Sequence, residues 1–316
     1  MSTTPVTAPM SVLEQASIGA PITRAGVTLF PIYLSQELPA SLLTACPGSL
    51  KIVEAESESV PTLSVTSLID QPFLLLEGET LSGGLQQRTL NVSVLIAAGT
   101  RVDIPVSCVE SGRWGGSRSF DGTSGHVSRR VRRAKSESVS ESLRRGGNKR
   151  SNQGAVWDSV GFELHRLKID SKTANFAASD LVFSADQGSG DSSHVSLAQA
   201  ARDLVARGPL PGQCGVVVAH GSRVVAAEIL GSAELLAAQW PHMVRAHILD
   251  APEKVVGRPS ASRALRFVRR LALGGATEAP GVGLGVERHV KTTRLVGQIL
   301  NWEESMIHAS GFALAA

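Results

Sequence analysis

The chain has 316 residues, of which 42% are hydrophobic, 19% are charged and only 4% are aromatic. This length suits one large domain or two ordinary ones, and the composition is that of a globular protein with a mostly aliphatic core. The formal net charge of +3 excludes a polycation. The three cysteines are far apart and form no CxxC pair, which disfavours a cysteine zinc site and fits a reducing compartment.

The N-terminal segment, residues 1–15, is rich in Thr, Pro and Ser and is predicted to be a flexible tail. It has no cationic start followed by an apolar run, so no secretory signal is predicted. Nowhere does an apolar run approach the ~20 residues needed to span a bilayer. We therefore expect a soluble, cytoplasmic protein without a membrane partner.

The first third of the chain is predicted to be mostly β-structure. β-branched residues alternate with polar ones in GAPITRAGVTLFPIYL, and the later runs LKIVEA, TLSVTSL, PFLLLEGE, RTLNVSVLIAAG and RVDIPVSCVE continue the pattern. Glu37 to Ala45 is a short helix candidate that ends at Pro47-Gly48.

Residues 115–150 differ in character, because Gly, Ser and Arg dominate there. Eleven Lys or Arg and three Asp or Glu lie between Arg113 and Arg150. A segment with so few apolar residues is predicted to be a long, mobile basic surface loop or arm, with a helix over Val127–Arg145 as the packed or bound alternative.

From Ala155 the apolar residues follow a helical spacing, which SLAQAARDLVARG, SAELLAAQWPHMVRAHILDA and SASRALRFVRRLALGG continue. A hairpin over CGVVVAHGSRVVAAEIL interrupts the helices, and the chain ends in three strands. We therefore predict an α+β fold: a β-rich N-terminal third, a helical middle and a mixed C-terminal part. Residues 16–316 are predicted to form a single domain.

Candidate functional residues concentrate between Glu77 and Trp114. Alternation of side chains along a strand would place Arg88 on one face of its strand and Gln87 and Asn91 on the other. Glu110 follows the apolar row of the next strand, where an acidic residue needs a partner such as Arg88 or Arg113. Two interpretations remain open: a buried structural ion pair, or a pocket in which arginines bind an anion.

Familiar catalytic and cofactor motifs are missing from the sequence. Gly83-Gly84 is not followed by GK[ST], and no G-x-S-x-G, HExxH or dinucleotide fingerprint is present. Cys108 is interpreted as a small buried hydrophobe rather than a nucleophile. The sequence therefore predicts no metal site of familiar spacing, leaves open one built from dispersed carboxylates, and specifies no cofactor.

Four segments together resemble one domain family, which is named for its association with ADP-ribosylglycohydrolases and rhodanese-like phosphatases. They are LLLEGETLSGGLQQRTLN, IPVSCVESGRW, GVVVAHGSRVVAAEILGS and MIHASGF, and they run from Leu74 to Phe312. The residues that match are Glu77, Arg88, Asn91, Cys108, Glu110, Arg113 and Trp114, with either Gln86 or Gln87.

The resemblance implies a setting of ADP-ribose, NAD or phosphorylated metabolites, but no defined activity. The expected function is binding, with or without hydrolysis, of a phosphorylated or nucleotide-like small molecule. The candidate roles are anion binding by Arg88 and Arg113, orientation by Gln87 and Asn91, stacking by Trp114, and acid/base chemistry by Glu77 or Glu110.

Two other classes of function stay open. The basic arm could bind nucleic acid weakly or dock a protein, because SRRVRRAK can contact phosphates without reading bases. The chain could also be a structural component of an assembly.

Overall fold

The computed structural model describes residues 11–38, 41–55, 61–113, 115–184, 192–252 and 254–314. The predicted α+β class, with a β-rich N-terminal third, a helical middle and a β-rich C-terminal part, is confirmed. The helices are α1 Arg129–Arg144, α2 Gln153–Arg166, α3 Ser192–Val205, α4 Ala233–Leu249 and α5 Ala261–Leu273, with a 3₁₀ helix at Phe176–Val182.

The strands form three sheets. Their bounds are β1 Ser17–Ile18, β2 Ile22–Arg24, β3 Val27–Tyr33, β4 Leu50–Glu54, β5 Thr62–Ser67, β6 Phe73–Leu75, β7 Glu79–Gly83, β8 Arg88–Leu90, β9 Val94–Ile96, β10 Arg101–Cys108, β11 Ser119–His126, β12 Gly215–His220, β13 Arg223–Leu230, β14 Ala276–Pro280, β15 Val282–Gly283, β16 Val286–Lys291, β17 Leu295–Trp302 and β18 Ser305–Ala313.

The largest sheet has nine antiparallel strands in the order β1-β3-β12-β13-β18-β17-β16-β14, with β2 paired to β3. Side chains of β12 alternate between two buried layers. Val216 and Val218 pack in the layer that holds α3 and α4, whereas Val217 and Ala219 pack in the layer that holds α5. This central strand is therefore apolar on both faces.

Six further strands pair in a closed ring, β10-β5-β4-β11-β7-β8, called here the closed sheet. Its interior is filled by aliphatic residues such as Leu63, Leu81 and Ile104. A three-stranded sheet, β15-β9-β6, shares this core, and Val139 of α1 packs into it. Helix α1 also contacts β16, β17 and β18, so it lies where the closed sheet meets the large sheet.

The mobile-loop prediction for residues 115–150 differs from the structure, and the helix alternative is the one observed. Ser119–His126 pairs with β4 and β7, and α1 follows at Arg129–Arg144. The inward face of α1 buries Arg132 and Lys135. Carboxylates from other parts of the chain balance their charges, and such long-range pairing is not visible in local composition.

The helix predicted over Glu37 to Ala45 is not present in its described residues. Leu38 N–H donates instead to Gly231 O at 2.7 Å, and Leu43 N–H donates to Pro72 O at 3.1 Å. The backbone of this segment is therefore satisfied by neighbouring segments rather than by its own turn. Residues 39 and 40 lie outside the described part of the chain.

Candidate functional site

The residues predicted to form a ligand site are mostly buried, and they fall into four separate polar networks. Glu77 precedes β7, Arg88 begins β8 and Glu110 follows β10. Asn91 and Gln87 flank β8. Trp114, the predicted stacking residue, lies outside the described residues.

The first network joins Glu77 to Arg132 in α1. Nε and Nη2 of Arg132 donate to Oε1 of Glu77 at 2.9 and 2.6 Å, and Nη2 also donates to Oε1 of Glu228 at 2.5 Å. Lys135 Nζ lies 3.8 Å from Oε2 of Glu77 and donates to Thr89 Oγ1 at 3.2 Å. All four charged groups are buried, so the two cations and two carboxylates balance one another away from water.

Burial and charge shift the pKa values of this network in opposite directions. Burial would lower the pKa of Arg132, but Glu228 and Glu77 raise it above its ordinary value. Burial would raise the pKa of Glu228, yet Arg132 and hydrogen bonds from two histidines hold it well below its usual range. Burial lowers the pKa of Lys135 to about 7. Lys135 is therefore the member of the network that titrates near neutral pH.

His308 closes a ring of polar contacts around this ion-pair network. Glu77 N–H donates to Ser93 Oγ at 3.0 Å, and Ser93 Oγ lies 2.8 Å from His308 Nδ1. The hydroxyl can then donate to Nδ1, which places the ring proton on Nε2. His308 Nε2 lies 3.5 Å from Oε1 of Glu228. The proton therefore faces the carboxylate that also accepts from Arg132.

A neighbouring network surrounds Gln239 of α4. Its amide nitrogen donates to Glu79 and, at 2.7 Å, to Thr44 Oγ1, while its oxygen lies 3.0 Å from His126 Nε2. Burial raises the pKa of Glu79 to about 8 and lowers that of His126 to about 3. Both groups are therefore neutral at pH 7, as their burial without a dedicated counter-charge requires.

Glu110 and Arg113 form a further network of predicted residues, which clamps two loops together. Oε2 of Glu110 accepts from Arg113 Nε at 3.0 Å and from Gln87 N–H at 3.1 Å, and Oε1 accepts from Thr173 Oγ1 at 3.0 Å. Burial would raise the pKa of Glu110, but the hydrogen bonds from Arg113, Gln87 and Thr173 lower it below its ordinary value. Arg113 also donates to the carbonyls of Gly83, Gly84 and Gly115. These contacts occupy its N–H groups, so the guanidinium holds two loops together.

Arg88 is also paired inside the protein. Its Nη1 donates to Gln86 Oε1 at 3.2 Å, and its Nη2 lies 3.5 Å from Oε1 of Glu54. Gln87 points away from this pair, because its side-chain oxygen accepts from Ala177 N–H at 3.1 Å. The buried ion-pair interpretation thus describes the immediate surroundings of Glu77, Arg88 and Glu110.

Asn91 is the predicted residue whose network reaches an open cleft. Its Oδ1 accepts from Ser107 Oγ at 2.6 Å, and its Nδ2 donates to the backbone oxygen of Lys149 at 3.1 Å. Lys149 lies in the loop between α1 and α2, and its Nζ contacts Oε1 of Glu287 at 2.7 Å. Asn91 therefore holds the backbone of this loop in place through a hydrogen bond to Lys149 O.

The cleft lies between the α1–α2 loop and the edge strand β14 and has a volume of about 510 Å³; it is called here the loop cleft. Leu143, Pro280 and Val282 supply apolar surface, and Lys149 supplies a cation. Its full lining is Leu143, Gly146, Gly147, Asn148, Lys149, Thr277, Glu278, Ala279, Pro280 and Val282. Arg144, Arg145 and Arg150, which adjoin the lining residues in the chain, are exposed.

Sequence reasoning missed Arg132, Lys135 and Glu228 as members of the buried centre. One signal was available, since Val131, Lys135 and Val139 are spaced four residues apart. That spacing aligns Lys135 with two apolar residues on one helix face. Cys108 is buried, and burial raises the pKa of its thiol. This agrees with its interpretation as a small hydrophobe.

Within the described ranges, no group of three or more His, Cys, Asp or Glu side chains is arranged to hold a metal ion. Each helix in that part of the chain is too short or too polar to cross a bilayer.

Comparison with known proteins gives one match. The family model of the ARG and Rhodanese-Phosphatase-superfamily-associated Protein domain, ARPP-1, matches residues 15–312. No curated protein and no solved structure matches the chain.

Proposed function

The chain belongs to the ARPP-1 domain family, and from that premise we propose that it binds a phosphorylated or nucleotide-like small molecule, such as an ADP-ribose- or NAD-related metabolite. The family name associates the domain with ADP-ribosylglycohydrolases and rhodanese-phosphatases. We place the ligand in the loop cleft rather than among the buried ion pairs.

The observation that carries the proposal is the pairing of an apolar wall with a cationic rim in one open cleft. A volume of about 510 Å³ lies within the ~300–1,000 Å³ range of small-molecule sites. Pro280 and Val282 offer a surface for a base or sugar. Arg150, which is exposed and follows the lining residue Lys149, offers charge to a phosphate, whereas Lys149 and Arg145 are paired with Glu287 and Glu141.

The predicted residues support this site in different ways. Asn91 acts through its hydrogen bond to Lys149 O, which holds the loop that lines the cleft. Arg88 and Arg113 are engaged by Glu54 and Glu110, so direct anion binding by them would require these pairs to open. We favour Asn91 as a positioning residue and the other two as supports of the framework.

We favour binding over hydrolysis. Glu77 and Glu110, the candidate acid and base, are each ion-paired to an arginine. A carboxylate held in such a pair is a weak base and is turned away from the cleft. Glu278, which is exposed, is the carboxylate among the residues that line the cleft.

The test is a thermal-shift and calorimetric titration of the full chain with ADP-ribose, ADP and inorganic phosphate. Binding of ADP-ribose is expected to raise Tm, and filling the cleft by Ala279→Phe is expected to abolish the shift. Arg150→Gln is expected to weaken binding by about tenfold, the loss of one exposed charge–phosphate contact. Chromatography of the same mixtures reports any turnover.

Arg202→Gln is the matched control, because Arg202 is an exposed arginine of α3 that lies outside the cleft lining. It should leave the titration unchanged. If Ala279→Phe folds normally and binds as the unaltered chain does, the loop cleft is not the site. If none of the three compounds binds, the proposal fails for this ligand class.

The alternative function through residues 115–150 is less favoured, because most cations of that segment already have carboxylate partners. Arg129 pairs with Asp250, Arg130 with Glu163 and Arg132 with Glu77 and Glu228. A paired cation releases fewer counterions when it meets a phosphate backbone. The segment therefore offers less free positive charge than its composition predicts.

A further inference from the structure

Helix α5, Ala261–Leu273, carries the most one-sided surface of the described structure. Its apolar residues Ala264, Phe267, Val268, Leu271 and Ala272 are buried against the large sheet. Its arginines, at positions 263, 266, 269 and 270, are all exposed. At 100° per residue the arginines occupy an arc of about 120° directly opposite the buried face. The helix therefore presents its whole charged side to solvent.

The charge of this surface is unbalanced in the local sequence. Between Lys254 and Thr277 the chain contains no acidic residue and six basic ones, which are Lys254, Arg258 and the four arginines of α5. Among the described residues, no carboxylate lies within 4.0 Å of the guanidinium of any of the four α5 arginines. Arg263 Nη1 donates to a carbonyl, Ser222 O, at 3.1 Å.

Helix α1 provides the internal contrast. It has more basic residues in its sequence neighbourhood, but Arg132 and Lys135 are buried and Arg133 and Arg144 pair with glutamates of the same helix. Exposed positive charge without a carboxylate partner is therefore concentrated on α5 rather than on residues 115–150, whose composition is more basic. The arginine face of α5 is consequently the main uncompensated cationic surface of the described residues.

We propose that the arginine face of α5 binds the phosphate backbone of double-stranded nucleic acid without reading its sequence. The eight residues from Arg263 to Arg270 span about 10 Å along the helix axis, a length over which a duplex presents several phosphates. Arginine suits this role because its planar guanidinium can contact a phosphate through two N–H groups.

The structure favours a duplex over other polyanions. Single-strand binding uses exposed aromatic residues as stacking platforms, whereas Phe267, the aromatic residue of α5, is buried. A membrane-surface helix inserts its apolar face between lipids, whereas the apolar face of α5 is already packed on the sheet. Binding to duplex phosphates requires neither an exposed aromatic residue nor a free apolar face, so it fits this surface.

The test is fluorescence anisotropy of a labelled 20-base-pair duplex titrated with the full chain at 50 and 200 mM salt. Four phosphate contacts predict a slope of log K against log salt of about −3.6 and a loss of affinity of about 100-fold between these salt concentrations. Arg266→Gln with Arg269→Gln should lower affinity at 50 mM by tenfold or more and reduce the slope by about half. Arg266→Lys with Arg269→Lys keeps the charge and should retain most of the binding.

Arg202→Gln with Arg207→Gln is the matched control, since it removes one exposed arginine from α3 and one just after it and changes the net charge equally. It should leave duplex binding unchanged. If this control loses as much duplex affinity as the α5 variant, α5 is not the binding surface. The same conclusion follows if Arg144→Gln with Arg145→Gln, rather than the α5 variant, loses the affinity. Binding to vesicles containing phosphatidylserine, or to polyglutamate, in the absence of duplex binding would overturn the proposal. Ligand binding in the loop cleft is unaffected by either outcome.

Discussion

Arg132 and Glu228 form a fully buried ion pair, with neither side chain exposed to solvent. The same guanidinium also binds Glu77, so one cation of α1 connects β13 of the large sheet to the segment before β7 of the closed sheet. Helix α1 thereby links the two main sheets through charge as well as through packing. The sequence places these three residues far apart, at positions 77, 132 and 228.

Arg132→Met is expected to destabilise the protein by about 3–5 kcal/mol, because it leaves two buried carboxylates without their cation. Urea unfolding at pH 7, followed by circular dichroism, measures the change. Arg133→Met is the matched control: Arg133 is the next residue, and it pairs with Glu137 at the surface. Its loss should cost less than about 1 kcal/mol. Equal effects of the two changes would contradict a special role for the buried pair.

Glu79→Gln tests the neutral state of Glu79. Its folded pKa of about 8 lies above the ordinary 4.5, so the folded protein binds more protons than the unfolded chain between these values. The contribution of Glu79 to the free energy of unfolding is therefore fully present below pH 4.5 and is lost as the pH rises through 8. The slope of this loss is up to about 1.4 kcal/mol per pH unit.

Glutamine imitates the protonated carboxyl, so Glu79→Gln should match the unaltered protein near pH 5 and be more stable than it at pH 8.5. Unfolding curves at four pH values between 5 and 8.5 measure the difference. Glu278→Gln, at an exposed carboxylate of β14, serves as control and should show no such divergence. A constant difference at all pH values would refute the assignment.

Lys135 imposes the opposite pH dependence. Its folded pKa of about 7 lies below the ordinary 10.5, so the unfolded chain binds more protons between these values and stability rises with pH over that window. Lys135→Met removes the titrating amine and with it this contribution to the pH dependence of stability. It should flatten the rise in the free energy of unfolding between pH 7 and 9.5, which is measured by the same urea curves. A rise of unchanged slope in the variant would assign the effect to another group.

Local pattern was enough to predict the fold class and most strands, because alternation and helical spacing are local properties. The hairpin predicted around His220-Gly221-Ser222 is the β12–β13 pair. The ordered state of residues 115–150 was beyond local reasoning. It depends on Glu77 and Glu228, which neutralise Arg132 from 55 and 96 residues away, and composition counts charges without showing their partners.

The predicted site residues illustrate the same limit. The sequence indicated that Glu110 needs a partner and named Arg88 or Arg113, of which Arg113 is the observed one. It expected the polar residues to gather around one ligand, whereas the structure distributes Glu77, Arg88 and Asn91 over separate networks. Side-chain alternation specifies the face of a strand, but the neighbour across that face is set by the tertiary fold.

Arg113→Gln discriminates between the two possible ligand locations. Glu110 would lose the ion pair and hydrogen bond with Arg113 but keep the hydrogen bonds from Gln87 N–H and Thr173 Oγ1, with a stability loss of about 2–3 kcal/mol for a buried carboxylate deprived of its cation. The depressed pKa contributes stability above about pH 4.5 that disappears in acid, so the variant should also lose less stability on acidification. ADP-ribose binding at the loop cleft should persist in this variant. Loss of binding with an intact fold would instead place the ligand at Arg113.

Gly84 tests the packing that holds the Arg113 loop. It has a φ of +61°, and a Cβ at this position would lie 2.2 Å from the Phe120 ring. Gly99 has a φ of +63° but open space around its Cβ position. Gly99→Ala should therefore cost about 1–2 kcal/mol for the left-handed backbone alone. Gly84→Ala should cost about 1–3 kcal/mol more, because the ring must move.

Urea unfolding of both variants, and of Gly84→Ala combined with Phe120→Leu, separates backbone strain from the clash. In a double-mutant cycle the smaller side chain should recover part of the loss, giving a coupling of about 1 kcal/mol or more. Because Gly84 O accepts from Arg113 Nη1 at 3.0 Å, displacement of this loop should also raise the pKa of Glu110. Equal costs at Gly84 and Gly99 would mean that Phe120 moves aside freely and that the loop is not held by its ring.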